Sequence, residues 1–251
     1  MVKIIEIDDN NNSNVFLETD FKAVSVTTKE GKDAFRKAIF EQMVDESNQI
    51  IIDAGGGNDS ILVLETLEKE GSADNFLYII PVTNSLSQAK NAIDTYNLIG
   101  KPEQTLFVLN QVHTSAEEEF LFWFGNAALG IPSVAEKLDH SPNYVTLRRS
   151  PIFEIAASNG YTIDQLASIA REIDSQDVNK LFFEESNGDI DVWTKMKHQY
   201  EQSQMADEYL LENLAALKEA IKGFKNLAVV STKGGVGKST LSWHLLPLCL
   251  G

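Results

Sequence analysis

A single cysteine, Cys249, is all the thiol chemistry that this chain of 251 residues possesses. One cysteine excludes an internal disulfide and fits a reducing compartment. Its neighbours Leu248 and Leu250 make it read as a small buried residue rather than a nucleophile. No apolar run reaches the roughly 18 residues that a membrane-spanning helix needs, so stable membrane insertion is not expected. The opening residues read as a strand and lack the long apolar stretch of a signal peptide, which makes the cytoplasm the expected address. Repeats and Pro- or Ser-rich linkers are missing, and low complexity is confined to Asn10-Asn11-Asn12. Gly and Pro are used at ordinary levels, and the 43% of hydrophobic residues suffices for one large core. One domain over residues 1–251 is the simplest organisation.

Positive charge is also scarce. Against 37 acidic residues stand 21 basic ones, a formal net charge of -16. Such a field repels phosphate backbones at long range, so nonspecific DNA binding would need a local basic patch. Arg148-Arg149 is the best short candidate, and ordinary surface solvation accounts for it as well. A basic amphipathic tail of the kind that docks on membranes is absent from the end of the sequence.

What is present alternates between strands and helices. Residues 2–7, 22–27, 49–53, 76–81, 105–109 and 144–147 read as strands. The consecutive Ile50-Ile51-Ile52 is the signature of a strand covered on both faces. Helical spacing runs through Phe35, Ile39 and Met43, then over 61–69, 87–98 (with Ser85 or Ser87 as cap), 117–124 and 163–173. Residues 192–222 are polar and helical, with Tyr209, Leu210, Leu214, Leu217 and Ile221 as an apolar stripe that packing against the sheet explains. Gly223 closes that helix, and a last strand (226–230) precedes a final helix (239–248) that Pro247 must bend or end. This order predicts an α/β, three-layer fold with a mostly parallel sheet. Residues 1–222 form a body, and residues 223–251 a terminal strand–loop–helix unit.

That last unit carries the strongest chemical signal. Lys233-Gly234-Gly235-Val236-Gly237-Lys238-Ser239-Thr240 sits between an apolar strand and a helix, the setting a phosphate-binding loop requires. Glycines let backbone N–H groups converge on phosphate oxygens, and the helix N-terminus adds positive potential. Lys238 can reach the terminal phosphates, and the Ser239 hydroxyl suits Mg²⁺. Only two residues separate Gly234 from the Gly237-Lys238 pair where a strict P-loop has four, so the loop is a deviant form. Asp53 closes the isoleucine strand ahead of Ala54-Gly55-Gly56-Gly57, where open α/β sheets place ligand chemistry. It can bind Mg²⁺ through water or hold Ser239; capping a turn is its plainer role. Asp8 and Asp9 follow the first strand, and even spacing puts Glu6 and Asp8 on one side, which favours Asp8 as the metal- or water-orienting group.

Residues Ser231-Thr232-Lys233-Gly234-Gly235-Val236-Gly237-Lys238-Ser239-Thr240 resemble the deviant Walker A motif of the ParA/MinD ATPases, closest to the ParA-like partition proteins. The resemblance implies a P-loop NTPase fold, with Lys233 as the signature lysine that reaches a partner's nucleotide and Lys238 as the lysine of its own subunit. Ile5-Glu6-Ile7-Asp8-Asp9-Asn10 is similar to the family's Asp-x-Asp-Pro-Gln strand end, with Asp8 as switch aspartate; Glu6, Asp9 and Asn10 depart from it. Ile51-Ile52-Asp53-Ala54 resembles the Walker B strand. Phe107-Val108-Leu109-Asn110-Gln111 resembles the strand whose terminal Asn reads adenine, which favours ATP. The family's P-loop comes first along the chain, whereas here it comes last, so the sequence resembles a circular permutant. The implied activity is an Mg²⁺-dependent ATPase switch that dimerises through ATP, with a partition partner protein and a role in plasmid or chromosome partitioning. A MinD-like positioning ATPase, a P-loop kinase or synthetase, and a hydrolysis-impaired ATP-binding scaffold are the alternatives.

Overall fold

The computed structural model describes residues 1–8, 22–138, 141–173 and 177–250. The expectations for Asp9 and Asn10 lie outside the described residues. Among the described residues, seven strands form one sheet: β1 (Val2–Ile7), β2 (Lys22–Val26), β3 (Gln49–Gly56), β4 (Phe76–Val82), β5 (Thr105–Val112), β6 (Asn143–Arg148) and β7 (Asn226–Ser231). Their spatial order is β2-β1-β3-β7-β4-β5-β6, and every pairing is parallel. The last strand in sequence is therefore inserted at the centre, between β3 and β4.

Alternate residues of each strand feed opposite faces. Ile50 and Ile52, with Phe76, Tyr78, Phe107 and Val230, pack under α1 (Thr28–Val44), α2 (Asn58–Lys69) and α3 (Leu86–Ile99). The same core takes in Phe120 and Trp123 from the short helices α4 (Ala116–Glu119) and α5 (Leu121–Phe124). Ile51, Leu77, Val108 and Val229 point the other way. They meet α6 (Ile152–Ser158), α7 (Ile163–Glu172) and α9 (Ile190–Ile221), while α8 (Val178–Glu185) packs on α9. Helices on both faces of a parallel sheet make the three layers, and they explain the unbroken isoleucine run.

Most element boundaries fall within a few residues of those expected, and Ser85 is the cap of α3, accepting from the Gln88 amide. Two expectations change. The helix expected over 117–124 is broken at Phe120, which leaves helical geometry at ψ 55°. The break lets Phe120 and Trp123 both reach the core, while Glu119 turns back to accept from the His113 and Thr114 amides. Pro247 does not end the last helix. That helix runs as α10 (Lys238–Thr240), a π turn (Leu241–Leu245) and α11 (Leu246–Leu250). The Leu246 amide bonds Leu241 O, so the wider turn lies just ahead of the residue that lacks an N–H.

The stripe on α9 packs as expected, with Tyr209, Leu210, Leu217 and Ile221 buried in the second core. Asn213 ties the helix to the sheet edge, accepting from the Arg148 amide at 3.0 Å, while the Tyr209 hydroxyl donates to Arg148 O at 3.1 Å. Arg148 also pairs with Glu212 at 3.7 Å, and Arg149 lies 3.5 Å from the His113 ring. The candidate basic patch is thus interleaved with an acidic helix.

Cys249 is half-buried, and burial raises its thiol to about 12, which suits a packing role. At the other end of β3, the Gln49 amide donates to Met1 O at 3.0 Å and its side chain donates to Leu250 O at 2.9 Å. The first strand and the last helix therefore meet at one residue.

Leu217→Ala is expected to remove about 2–5 kcal/mol of stability. Leu211→Ala, at a position 73% exposed on the same helix, should cost under about 0.5 kcal/mol. Urea unfolding of the two variants measures the difference.

Candidate functional site

Because all seven strands run parallel, their carboxyl ends lie along one edge, and each delivers its last residues to the same side. There the ends of β1, β3 and β7 enclose an open cleft of about 330 Å³. Glu6, Asp8 and Asp53 line one wall, and Gly234, Gly235, Gly237, Lys238, Ser239 and Thr240 line the other. Residues 8, 53 and 238 are thus brought together from opposite parts of the chain.

Two glycines of the loop adopt a backbone conformation that favours glycine. Gly235 and Gly237 have φ 75° and 93°, in the left-handed region. A β-carbon on Gly237 would run into the Asn110 amide nitrogen. Across the cleft, a β-carbon on Gly56 would lie 3.0 Å from the Gly234 nitrogen, so the two loops pack backbone against backbone. Val236 turns its side chain into the core.

Lys238 opens the last helix and is only 9% exposed. Its ammonium donates to Lys233 O at 3.4 Å. Burial lowers its pKa, and the charges of Asp53, Asp8 and Asp59 oppose that shift. Asp53 is 2% exposed, and its Oδ2 has no hydrogen-bond partner among the described residues. Burial pushes its carboxyl from 3.8 up to about 7; a Ser239 hydrogen bond and Lys238 pull it down, while Glu6 and Asp8 push it further up. Glu6 is buried on β1 directly in register with Asp53, and Asp8 is half-buried at the strand's end.

A Mg²⁺ ion fits this donor set. Among the described residues no cluster of three or more His, Cys, Asp or Glu side chains could hold a metal alone. Magnesium, however, takes one or two carboxylates and completes its shell with water and substrate phosphates. The unpartnered Asp53 Oδ2 beside the Ser239 hydroxyl is such a half-shell.

Two expected residues occupy different places from the rest. Lys233 is exposed at the rim and does not line its own cleft; its amide donates to Ser231 Oγ at 3.2 Å. Asn110 is buried beneath the loop, where its side-chain amide donates to Val236 O at 3.1 Å and its Oδ1 accepts from the Gln111 amide at 2.9 Å. Both of its polar atoms are engaged within the protein, so Asn110 braces the glycine loop. Next to it, Gln111 adopts φ 67°, where β5 bulges against β6.

Sequence reasoning missed three residues. Ser60 and Thr95 are fully buried hydroxyls that grip the start of the loop from α2 and α3. Asp59 is buried against Gly55, where a side chain on the glycine would collide with its carboxylate. The available signal was a polar residue at a core position of an amphipathic helix, which must find a partner.

Set against protein-family models, curated proteins and solved structures, the chain matches none of them. No helix among the described residues is long and apolar enough to cross a membrane.

Asp53 gives a pH-dependent test. Its folded carboxyl titrates at about 7 against an ordinary 3.8, so between these values the folded state binds more protons than the unfolded one. The neutral form's contribution is complete below the lower value and is lost as pH rises through the upper one. Asp53→Asn should therefore melt higher than the parent at pH 8 in EDTA, with the gain vanishing towards pH 4. Gly237→Ala should lose roughly 1–3 kcal/mol from backbone strain alone, read by urea unfolding.

Proposed function

We propose that this chain is a ParA-like ATPase with a P-loop NTPase fold whose motifs are circularly permuted, and that it works as an ATP- and Mg²⁺-dependent dimerisation switch. One observation carries the reading. A buried lysine opens a helix after a glycine loop, and it faces a buried carboxylate that shares a hydrogen bond with the helix's own serine. Anion-binding N–H groups, a point charge and a metal half-shell are thus adjacent, which is the equipment phosphoryl transfer needs.

In this mechanism the loop amides and Lys238 hold the phosphates, with positioning and electrostatics supplying most of the rate. Mg²⁺, held through Ser239 and Asp53, would neutralise charge on the phosphate oxygens. Asp8, at the open end of β1, orients the attacking water. Lys233 is exposed at the rim, free to reach the nucleotide of a second copy, as the signature lysine of the resembled family does. Loss of the terminal phosphate removes those contacts and releases the dimer.

A role in partitioning, with a separate partner protein, goes with the resemblance. Arg148 paired to Glu212 and a net charge of -16 give no support to a DNA-binding surface in the monomer. The nearness of β1 to the last helix, both held by Gln49, supports the permuted order, since the family's next strand follows its P-loop helix.

The test is light scattering with ATP and Mg²⁺, combined with product analysis. The parent chain should dimerise with ATP and release ADP and phosphate. Lys233→Ala should abolish the dimer while retaining monomeric binding, and Lys238→Ala should lose binding. An undiminished Lys233→Ala dimer defeats the assignment of that lysine. Transfer of phosphate to another acceptor would make the chain a kinase or synthetase, and tight ATP binding without turnover would make it a scaffold.

A further inference from the structure

The seam between β3 and β7 is irregular at one place. Asp53 pairs with Val229 and Gly56 with Ser231, so three steps along β3 match two along β7. This bulge interrupts the backbone ladder immediately after Asp53 and at the start of the phosphate loop. A bulge leaves backbone groups that need partners, and inside a protein such groups are costly when unpaired.

Ser60 supplies them. It is the third residue of α2, with a relative exposure of 0%. Its hydroxyl accepts from the Ser231 amide at 3.0 Å, and it lies 2.8 Å from Gly55 O and 3.0 Å from Ser231 O, to either of which its single proton can be donated. One side chain therefore stands in for the missing ladder bonds between the strand that carries Asp53 and the strand that leads into the loop.

Thr95 offers a contrast. It is equally buried, but it reaches the loop from α3, accepting from the Thr232 amide at 3.2 Å and donating to Asn91 O at 2.8 Å. None of these hydrogen bonds goes to β3. The second half of the loop has its own support in Asn110 below Val236.

We infer that Ser60 is a positioning residue: its hydroxyl replaces the broken β3–β7 ladder, sets the spacing between Asp53 and Ser239, and so governs the Mg²⁺-dependent part of nucleotide binding. The inference rests on the function proposed above. Asp53 and Ser239 lie on opposite sides of this seam, so its width sets the metal half-shell. The phosphate donors all lie on the β7 side, so loosening the seam leaves them in place.

The experiment compares ADP binding with and without Mg²⁺ in the parent, Ser60→Ala and Thr95→Ala proteins, with the melting temperature of each. In Ser60→Ala the gain in affinity on adding Mg²⁺ should shrink by roughly tenfold, the usual effect of losing an outer partner of a metal site, while metal-free binding is retained. Thr95→Ala should show no selective loss of that gain. Ser60→Cys keeps the side-chain shape with a somewhat larger atom and substitutes a weak donor and acceptor, and it should show the same split if the alanine variant does not fold. The inference is overturned if the Ser60 variants keep the full gain, or if they lose binding equally in both media, as mere destabilisation would cause. A selective loss in Thr95→Ala also overturns it. A parent protein that binds no nucleotide at all would refute the functional reading itself, and this inference with it.

Discussion

A carboxylate and an ammonium are buried together where the central strands of the sheet end, and the surrounding architecture follows from accommodating them. Asp53 is removed from water beside Glu6 and Asp8, with Lys238 and the Ser239 hydroxyl as its counterweights. Burial penalises both charged forms, which is why the Asp53 carboxyl is held up and the Lys238 ammonium down. Such a cluster is tolerated only where the backbone can supply more donors, and the N-terminus of the last helix does so. The glycine loop, the bulge in β3 and the hydroxyls from α2 and α3 are the means by which that helix end is brought against the strand.

The same cluster makes the unliganded protein less stable than it could be. A carboxyl that titrates at about 7 resists ionising at neutral pH, and its Oδ2 has no partner among the described residues. A cation bound there would satisfy both demands, and binding to the folded state alone raises its stability by mass action. On this reading ligand binding and folding draw on one buried site.

Much of this was legible in the sequence because two signals were unambiguous. Ile50-Ile51-Ile52 fixed a strand buried on both faces, and the glycine loop between strand and helix fixed which edge of the sheet mattered. The alternation at Glu6 and Asp8 correctly put both on the cleft side. Tertiary features were hidden. The break at Phe120 depends on where two aromatic rings must pack, and the π turn ahead of Pro247 on how a helix absorbs a missing N–H. Ser60 and Thr95 are common residues in ordinary helices, and only the bulge opposite Ser60 and the Thr232 amide opposite Thr95 give their hydroxyls a purpose. Asn110 was visible as a strand-terminal amide, but its direction, down onto Val236 O, was not.

On the function proposed above, the excess of acid within the site bears on how a nucleotide would enter. Three carboxylates line the cleft, with Lys238 as the one lysine among its lining residues and Lys233 at its rim. The whole chain carries a further negative field. A bare triphosphate meets net repulsion on the β1–β3 wall and attraction only at the loop. A magnesium-bound one brings its own positive charge to the wall where the carboxylates stand, inverting the local electrostatics. On the function proposed above, the carboxylates of the β1–β3 side would favour metal-bound over metal-free nucleotide, while the loop amides and Lys238 on the β7 side would hold phosphate with or without the metal. On that reading the division runs along the β3–β7 seam, and the geometry of the seam, rather than the glycine loop alone, would set selectivity for the metal-bound form.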